Sequence, residues 1–401
     1  MRAALAVHCS KGKSGDGLVD IKSALGAAIS KAGVVGAVAI VGDRDGVRFE
    51  GAYGSQDPAA SKPMTLDTMF QLASMTKAVT SVAAMQLVER GLLSLDAPIG
   101  DLLPALAKPM VITGFAGDGS ANLRDASGPI TLRHLLSHTS GLGYDFVSET
   151  QARARGADGS PTPGTFASIT TPLLFDPGTA WEYGVSTDWV GLAVEAASGQ
   201  RLDAYVAQHI TGPLGMTDSS FTLTDAQRVR LAALHARQGD GSLAPAPLRI
   251  GSSPRDEFPG GGGGMYGTAG DYLRFARMIL NDGNLDGVRI LSPESIAGMS
   301  RNQIGGLRAG TMATVVRAFS LEIDVFPGMD SKWGLGFLIN PEPGPNGRAP
   351  GSLAWAGIAN TYYWIDPASG TAAVLMMQFL PFGDPAALEV YAAFERLVYA
   401  A

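Results

Sequence analysis

The feature that most limits the folds open to this chain is where its strand-like segments fall. Runs rich in β-forming residues occur at 34–41 and 47–53, joined by the turn sequence Asp43-Arg44-Asp45-Gly46, and again at 333–340, 351–357, 360–366 and 371–379. Between these groups, residues 92–265 carry short helical patterns at 131–138, 186–198 and 201–210, separated by Gly/Pro/Ser/Thr-rich stretches at 112–130 and 156–172. The early hairpin can complete the C-terminal sheet, which predicts an α/β (α+β) fold: one antiparallel sheet flanked by helices, built from both chain ends, with a mostly helical lobe inserted. The boundaries expected are a loose leader at 1–17, an α/β lobe from 18–73 and 266–401, and a helical lobe with long loops at 74–265. Flanking helices are read at 18–32, from the capping pattern Thr268/Asp271 through Leu280, from Pro293, and at 386–399. A length of 401 residues suits two lobes, since single cores stop growing at about 250–300 residues.

Composition removes several function classes. The chain has 30 Lys+Arg against 37 Asp+Glu, a formal charge of −7, and no long basic run, so nucleic acid is not an expected partner. Only 17% of residues are charged and 46% are apolar, which excludes disorder for most of the chain. No apolar stretch is long enough to span a membrane. The single Cys9 excludes an intramolecular disulfide, and no Cys/His cluster has zinc spacing, so neither metal nor cofactor is expected. The short apolar run Ala3 to Val7 falls below signal-peptide length, which reads as a cytoplasmic protein. The oligomeric state stays open.

The chemistry-bearing candidate is Ser74-Met75-Thr76-Lys77, at the start of a helix expected over 74–90, where Ala78, Val79, Val82, Ala83, Met85, Leu87 and Val88 recur largely at helical spacing and Gly91 supplies the stop. Residues three apart share a helix face, so the Lys77 amine can reach the Ser74 hydroxyl, the arrangement of the S-x-x-K nucleophile. The positive helix end is expected to favour an oxyanion and to lower the Lys77 pKa toward that of a base. By itself the pattern is weak: Ser74 can simply cap the helix, and Ser10-Lys11-Gly12-Lys13 matches too, in a polar leader with no helix to orient it. A second candidate is Tyr183 in Trp181-Glu182-Tyr183-Gly184, whose phenolate beside a cation can move the serine proton, although a tyrosine next to a tryptophan is more often a core aromatic.

Four stretches in order carry a resemblance: Gln71 to Lys77, Leu135-Leu136-Ser137-His138-Thr139-Ser140-Gly141-Leu142, Pro177 to Tyr183, and Trp355-Ala356-Gly357. Over roughly residues 18–400 the chain resembles the family VIII carboxylesterases, relatives of the class C β-lactamases and DD-peptidases. The resemblance implies a β-lactamase-like fold, Ser74 as acylated nucleophile, Lys77 with Tyr183 as the base system, Trp355 and Gly357 on a sheet edge lining the site, and the N–H groups of Ser74 and Ile358 as the oxyanion hole. Two departures matter. Trp355-Ala356-Gly357 stands where β-lactamases and DD-peptidases carry Lys-Thr-Gly, and Tyr183-Gly184-Val185 where class C enzymes carry Tyr-x-Asn. A lysine there can pair with a substrate carboxylate, whereas an indole offers an apolar wall and one N–H.

The activity expected is therefore hydrolysis of neutral esters with short to medium acyl chains through an acyl-enzyme on Ser74, with β-lactam turnover weak at most. A β-lactamase, an acyltransferase of the same fold and a non-catalytic penicillin- or peptidoglycan-binding sensor remain as alternatives. Other motifs fail: no serine sits in an intact G-x-S-x-G, and His134 and His138 lack the glutamate of H-E-x-x-H, so both read as structural. The Gly260–Gly264 run lacks the Gly-Lys-Ser/Thr of a phosphate loop and reads as a mobile or tightly turning wall of the cleft.

Overall fold

In the computed structural model, which describes residues 16–156 and 161–400, the two groups of strands meet in one sheet. Strands β1 (Gly36–Asp43) and β2 (Val47–Asp57) form the early hairpin, whose turn is closed by Asp43 Oδ1 accepting from the N–H groups of Asp45 at 2.8 Å and Gly46 at 2.9 Å. With β3 (Lys62–Pro63), β4 (Lys332–Trp333), β5 (Leu338–Ile339), β6 (Leu353–Gly357), β7 (Thr361–Asp366) and β8 (Thr371–Met376), the order is β4-β5-β6-β7-β8-β1-β2-β3, with antiparallel pairings throughout. The seam between chain ends is the β1–β8 pairing, where Ile40 lies opposite Val374.

Helices cover both faces, as the side chains of β7 demonstrate. Tyr362 stacks on Tyr391 of helix α5 (Pro385–Ala400), whereas its neighbour Tyr363 contacts Tyr272 of helix α4 (Ala269–Leu280); successive strand residues point to opposite faces, so the two helices lie on opposite sides. Helix α1 (Asp16–Ala32) packs beside α5. Sandwiched in this way, β1, β6 and β7 are buried along nearly their whole length, which is why they read as continuous apolar runs rather than alternating ones. Helix α2 (Thr76–Glu89) packs against α3 (Ser186–Ser198) and is buried from Thr76 to Leu87, small residues alternating with larger apolar ones around its circumference.

Some expectations need correction. The strand expected at 333–340 is two short strands, because Gly334 and Gly336 interrupt it, the latter at φ 100°, a conformation open mainly to glycine. The 371–379 run ends at Met376, and Phe379–Leu380 pairs instead with His235–Arg237. The Thr268/Asp271 box is half formed: Thr268 accepts from the Asp271 N–H at 3.2 Å, but the Asp271 carboxylate turns to the Asp218 N–H and the Ser219 hydroxyl. Of the expected leader, residues 1–15, including Ser10-Lys11-Gly12-Lys13, lie outside the described residues, and helix α1 already includes Asp16 and Gly17. No helix among the described residues is long and apolar enough to cross a membrane.

Candidate active site

Ser74 does not cap a helix. It is the middle residue of a 3-10 turn, Ala73–Met75, which runs into α2 at Thr76. Ala73 before it has φ 48°, the left-handed region that costs an L-residue about 1–2 kcal/mol, and strain of this kind gathers at functional positions. The turn is held from two sides. Leu72 N–H donates to the Met265 carbonyl at 2.9 Å, and Met265 N–H donates to Thr76 Oγ1 at 3.1 Å. On the other side β6 approaches so closely that a Cβ at Gly357 would lie 2.4 Å from the Leu72 carbonyl oxygen and 2.3 Å from Thr361 Oγ1. Glycine is thus required for packing the sheet against the serine turn, a reason additional to the substrate access expected from sequence.

Half-buried Ser74 opens on a cavity of about 340 Å³ whose wall includes Tyr183, Trp355, Gly357, Ile358 and Gly262. Lys77, in the first turn of α2, is 1% exposed, and its Nζ donates to Gly262 O at 2.7 Å, Tyr144 Oη at 3.0 Å and Ser74 Oγ at 3.3 Å. Three acceptors for three N–H bonds, one of them a carbonyl that can only accept, fit an ammonium. The expected lowering of its pKa is therefore overturned. Burial pulls the amine down, but the oxygens of Tyr144 and Tyr183 and the Asp188 carboxylate together outweigh it and hold Lys77 above its ordinary value. Asp188 is itself buried, its carboxylate accepting the Gly262 N–H at 2.9 Å, so one glycine residue joins carboxylate to ammonium. Burial raises both the Asp188 carboxyl and the Tyr144 phenol, with Lys77 opposing each shift.

Tyr183 lies 6% exposed, with the Lys77 Nζ 4.8 Å from its ring centroid. Its oxygen accepts the Trp355 indole N–H at 3.0 Å, so the donor that the sequence offered to substrate is committed to the tyrosine. Trp355 in turn meets Trp333 edge-on with centroids 4.6 Å apart, and His138 packs against Tyr183 at 4.9 Å. His138 has φ 58° beyond the end of the short helix Leu132–Leu136, so it does not share a helical face with His134, whose Nδ1 accepts the Thr131 N–H in a capping box. Burial, with Lys77 nearby, holds the His138 imidazole well below its usual pKa and so neutral. Among the described residues no group of three or more His, Cys, Asp or Glu is arranged for a metal ion. The Gly260–Gly264 run is the tight turn: Gly264 N–H closes on the Gly260 carbonyl at 2.6 Å, and Thr80 Oγ1 donates to Gly261 O at 2.8 Å.

Sequence reasoning missed Tyr144 and Asp188. Tyr144 lies two residues past the matched stretch ending at Leu142, and Asp188 five past Tyr183, so both were adjacent to motifs without matching one.

A family model described as Beta-lactamase matches residues 21–397. The chain belongs to the β-lactamase family. Within that family it is similar to monacolin J acid methylbutanoyltransferase of Aspergillus terreus, 31% identical with 96% of each chain covered, and to esterase EstB of Burkholderia gladioli, 32% identical with 86% of each covered. Its fold is similar to that of simvastatin synthase LovD of Aspergillus terreus, in the LovD6 mutant, with a TM-score of 0.80 at 30% identity over 98% of this chain and 99% of that one. In this β-lactamase-family cleft each charged wall residue has a partner: Asp145 faces Arg155 at 3.8 Å, Arg249 forms a two-pronged pair with Asp256 at 3.1 Å, and Asp188 serves Lys77 through Gly262. The remainder of the wall is largely apolar, with Phe146, Phe258 and Phe319 prominent.

Proposed function

We propose that the protein is a serine carboxylesterase of the family VIII type that acts on neutral esters through an acyl-enzyme on Ser74. The observation that carries this reading is that Ser74 and Tyr183 line one cavity, with the buried Lys77 ammonium donating to Ser74 Oγ and the Tyr183 oxygen receiving the Trp355 N–H. In the first step Ser74 Oγ attacks the ester carbonyl, its proton passes to the Tyr183 oxygen and on to the departing alcohol, and the C–O bond to that alcohol breaks. Lys77 and the Trp355 N–H are placed to hold negative charge on the tyrosine oxygen, which makes Tyr183 the base and Lys77 its electrostatic support. The Ser74 and Ile358 N–H groups are assigned to the oxyanion. Water then attacks the acyl carbonyl, releasing the acid and returning a proton to Ser74.

Charge pairing around the wall supports the neutral substrate, because a β-lactam carboxylate would find no uncompensated cation among the described wall residues. An alcohol in place of water would make the same machinery an acyltransferase. That second reading is favoured by the likeness to monacolin J acid methylbutanoyltransferase along 96% of both chains.

The test is hydrolysis of p-nitrophenyl butyrate by wild type and Ser74→Ala, with mass spectrometry of the phosphonate-treated enzyme. Loss of turnover in the variant and an adduct on the Ser74 peptide are expected; an adduct on another serine would overturn the assignment. Product analysis with a large excess of a hydrophobic alcohol separates the readings, since an acyltransferase makes the new ester in preference to the acid. Benzylpenicillin turned over as fast as the ester would refute the neutral-substrate reading.

A further inference from the structure

A second cavity, of about 240 Å³, adjoins the catalytic cleft and is lined by β6, the segment 323–327 and helix α5. Trp355, Ala356 and Phe382 border both cavities. Phe382 is held in place by backbone hydrogen bonds, its N–H donating to Phe319 O and its carbonyl accepting from Leu321 N–H, each at 2.9 Å.

The second cavity contains a built polar site. Arg348, only 1% exposed, is surrounded by the rings of Trp364, Phe326 and Tyr391 at 5.1, 5.4 and 5.5 Å from its guanidinium carbon. Its Nε is bound to Glu395 and one terminal nitrogen to the Tyr391 hydroxyl, but the other, Nη1, has no acceptor among the described residues. Asp324, on the same wall, has a complementary lack: one carboxylate oxygen takes the Arg308 guanidinium, while the buried Oδ1 has no donor among the described residues. A buried donor and a buried acceptor left unsatisfied both disfavour the empty cavity, which therefore favours an occupant that accepts one hydrogen bond and donates another.

The charges limit what that occupant can be. Arg348 is balanced by Glu395 and Asp324 by Arg308, so a carboxylate would enter a site with no net positive charge to meet it. A hydroxyl both accepts and donates and brings no charge. The remaining walls, Leu338, Pro327, Phe382 and Leu388 among them, suit an apolar body, and a cavity of about 150 Å³ is known to hold benzene, so this one accommodates a ring with its polar head. We propose that this cavity is a second binding site, for a small neutral alcohol with a single ring or branched apolar body, whose hydroxyl accepts from Arg348 Nη1 and donates to Asp324 Oδ1. An occupant would rest against the strand that carries Trp355.

Calorimetric titration of the full-length protein with benzyl alcohol tests this, since it requires no turnover and is independent of the catalytic assignment. Saturable binding of one equivalent is expected. Ala392→Phe on α5 and Val325→Phe on the covering segment each fill the cavity and should weaken binding by about tenfold or more, whereas Val316→Phe, which alters only the catalytic cleft, should leave it unchanged. The two filling variants lie on different elements, so a folding failure in one leaves the other to decide. Benzoate should bind about tenfold more weakly than the alcohol. Absence of saturable binding by the wild type, or binding lost in Val316→Phe and kept in the filling variants, overturns the site; benzoate binding as tightly as benzyl alcohol overturns the neutral ligand.

Discussion

Replacing Trp355 by Phe removes one polar group, the indole N–H that the Tyr183 oxygen accepts at 3.0 Å, and leaves most of the aromatic surface between Tyr183 and Trp333 in place. If that oxygen carries negative charge during acyl transfer, the bond is charge-assisted and its loss costs about 1.5–3 kcal/mol, or roughly ten- to a hundredfold in kcat/KM. If the tyrosine is only packed there, a neutral bond of about 0.5–1.5 kcal/mol is lost, and the change stays near or below tenfold. The assay is p-nitrophenyl butyrate hydrolysis from pH 5 to about 10, with thermal melting to verify that the variant is folded at the assay temperature. A Trp355→Phe enzyme within about threefold of wild type would refute the proposal that the indole supports the base.

Three further substitutions probe the surroundings. Asp188→Asn keeps an acceptor for the Gly262 N–H but removes the counter-charge to Lys77; the hydrogen bonds of 2.7 and 2.9 Å plus the span of one residue put the charges at most about 9 Å apart, worth about 1.8 kcal/mol at an effective dielectric of 20. The alkaline limb of the rate profile should fall by about one unit, and an unmoved limb would show that Asp188 does not sustain the ammonium. Glu182, pushed up to about 7 by burial, holds its proton more tightly folded than unfolded, so its contribution to stability is greatest below the ordinary carboxylate range and is lost as pH rises toward 7. Glu182→Gln should flatten that part of the melting-temperature profile, and an unchanged slope between pH 5 and 7 would count against it. Gly357→Ala brings a Cβ within 2.4 Å of the Leu72 carbonyl and should cost about 1–3 kcal/mol in chemical denaturation together with activity; full stability would mean that the serine turn can retreat.

The union of the two groups of strands in one sheet is legible in the order of residues alone, because β1, β6, β7 and β8 read as apolar, β-rich runs bounded by turn residues whatever lies between them. The nearness of Ser74 and Lys77 is legible there too, since a spacing of three within one helical stretch is a local matter. The states of these groups come from packing between distant segments. The lysine becomes an ammonium through Gly262, Tyr144 and Asp188, which are 185, 67 and 111 positions away along the chain (262 − 77, 144 − 77 and 188 − 77), and no periodicity encodes acceptors supplied by three separate segments. The same applies to Trp355, whose N–H could as well have faced substrate until folding set Tyr183 beside it, and to Gly357, whose missing side chain is explained only by a carbonyl from residue 72. Local propensity and spacing act over a helical turn or a strand, whereas hydrogen-bond partners and desolvation are set by whichever segments the packed core brings within about 3 Å.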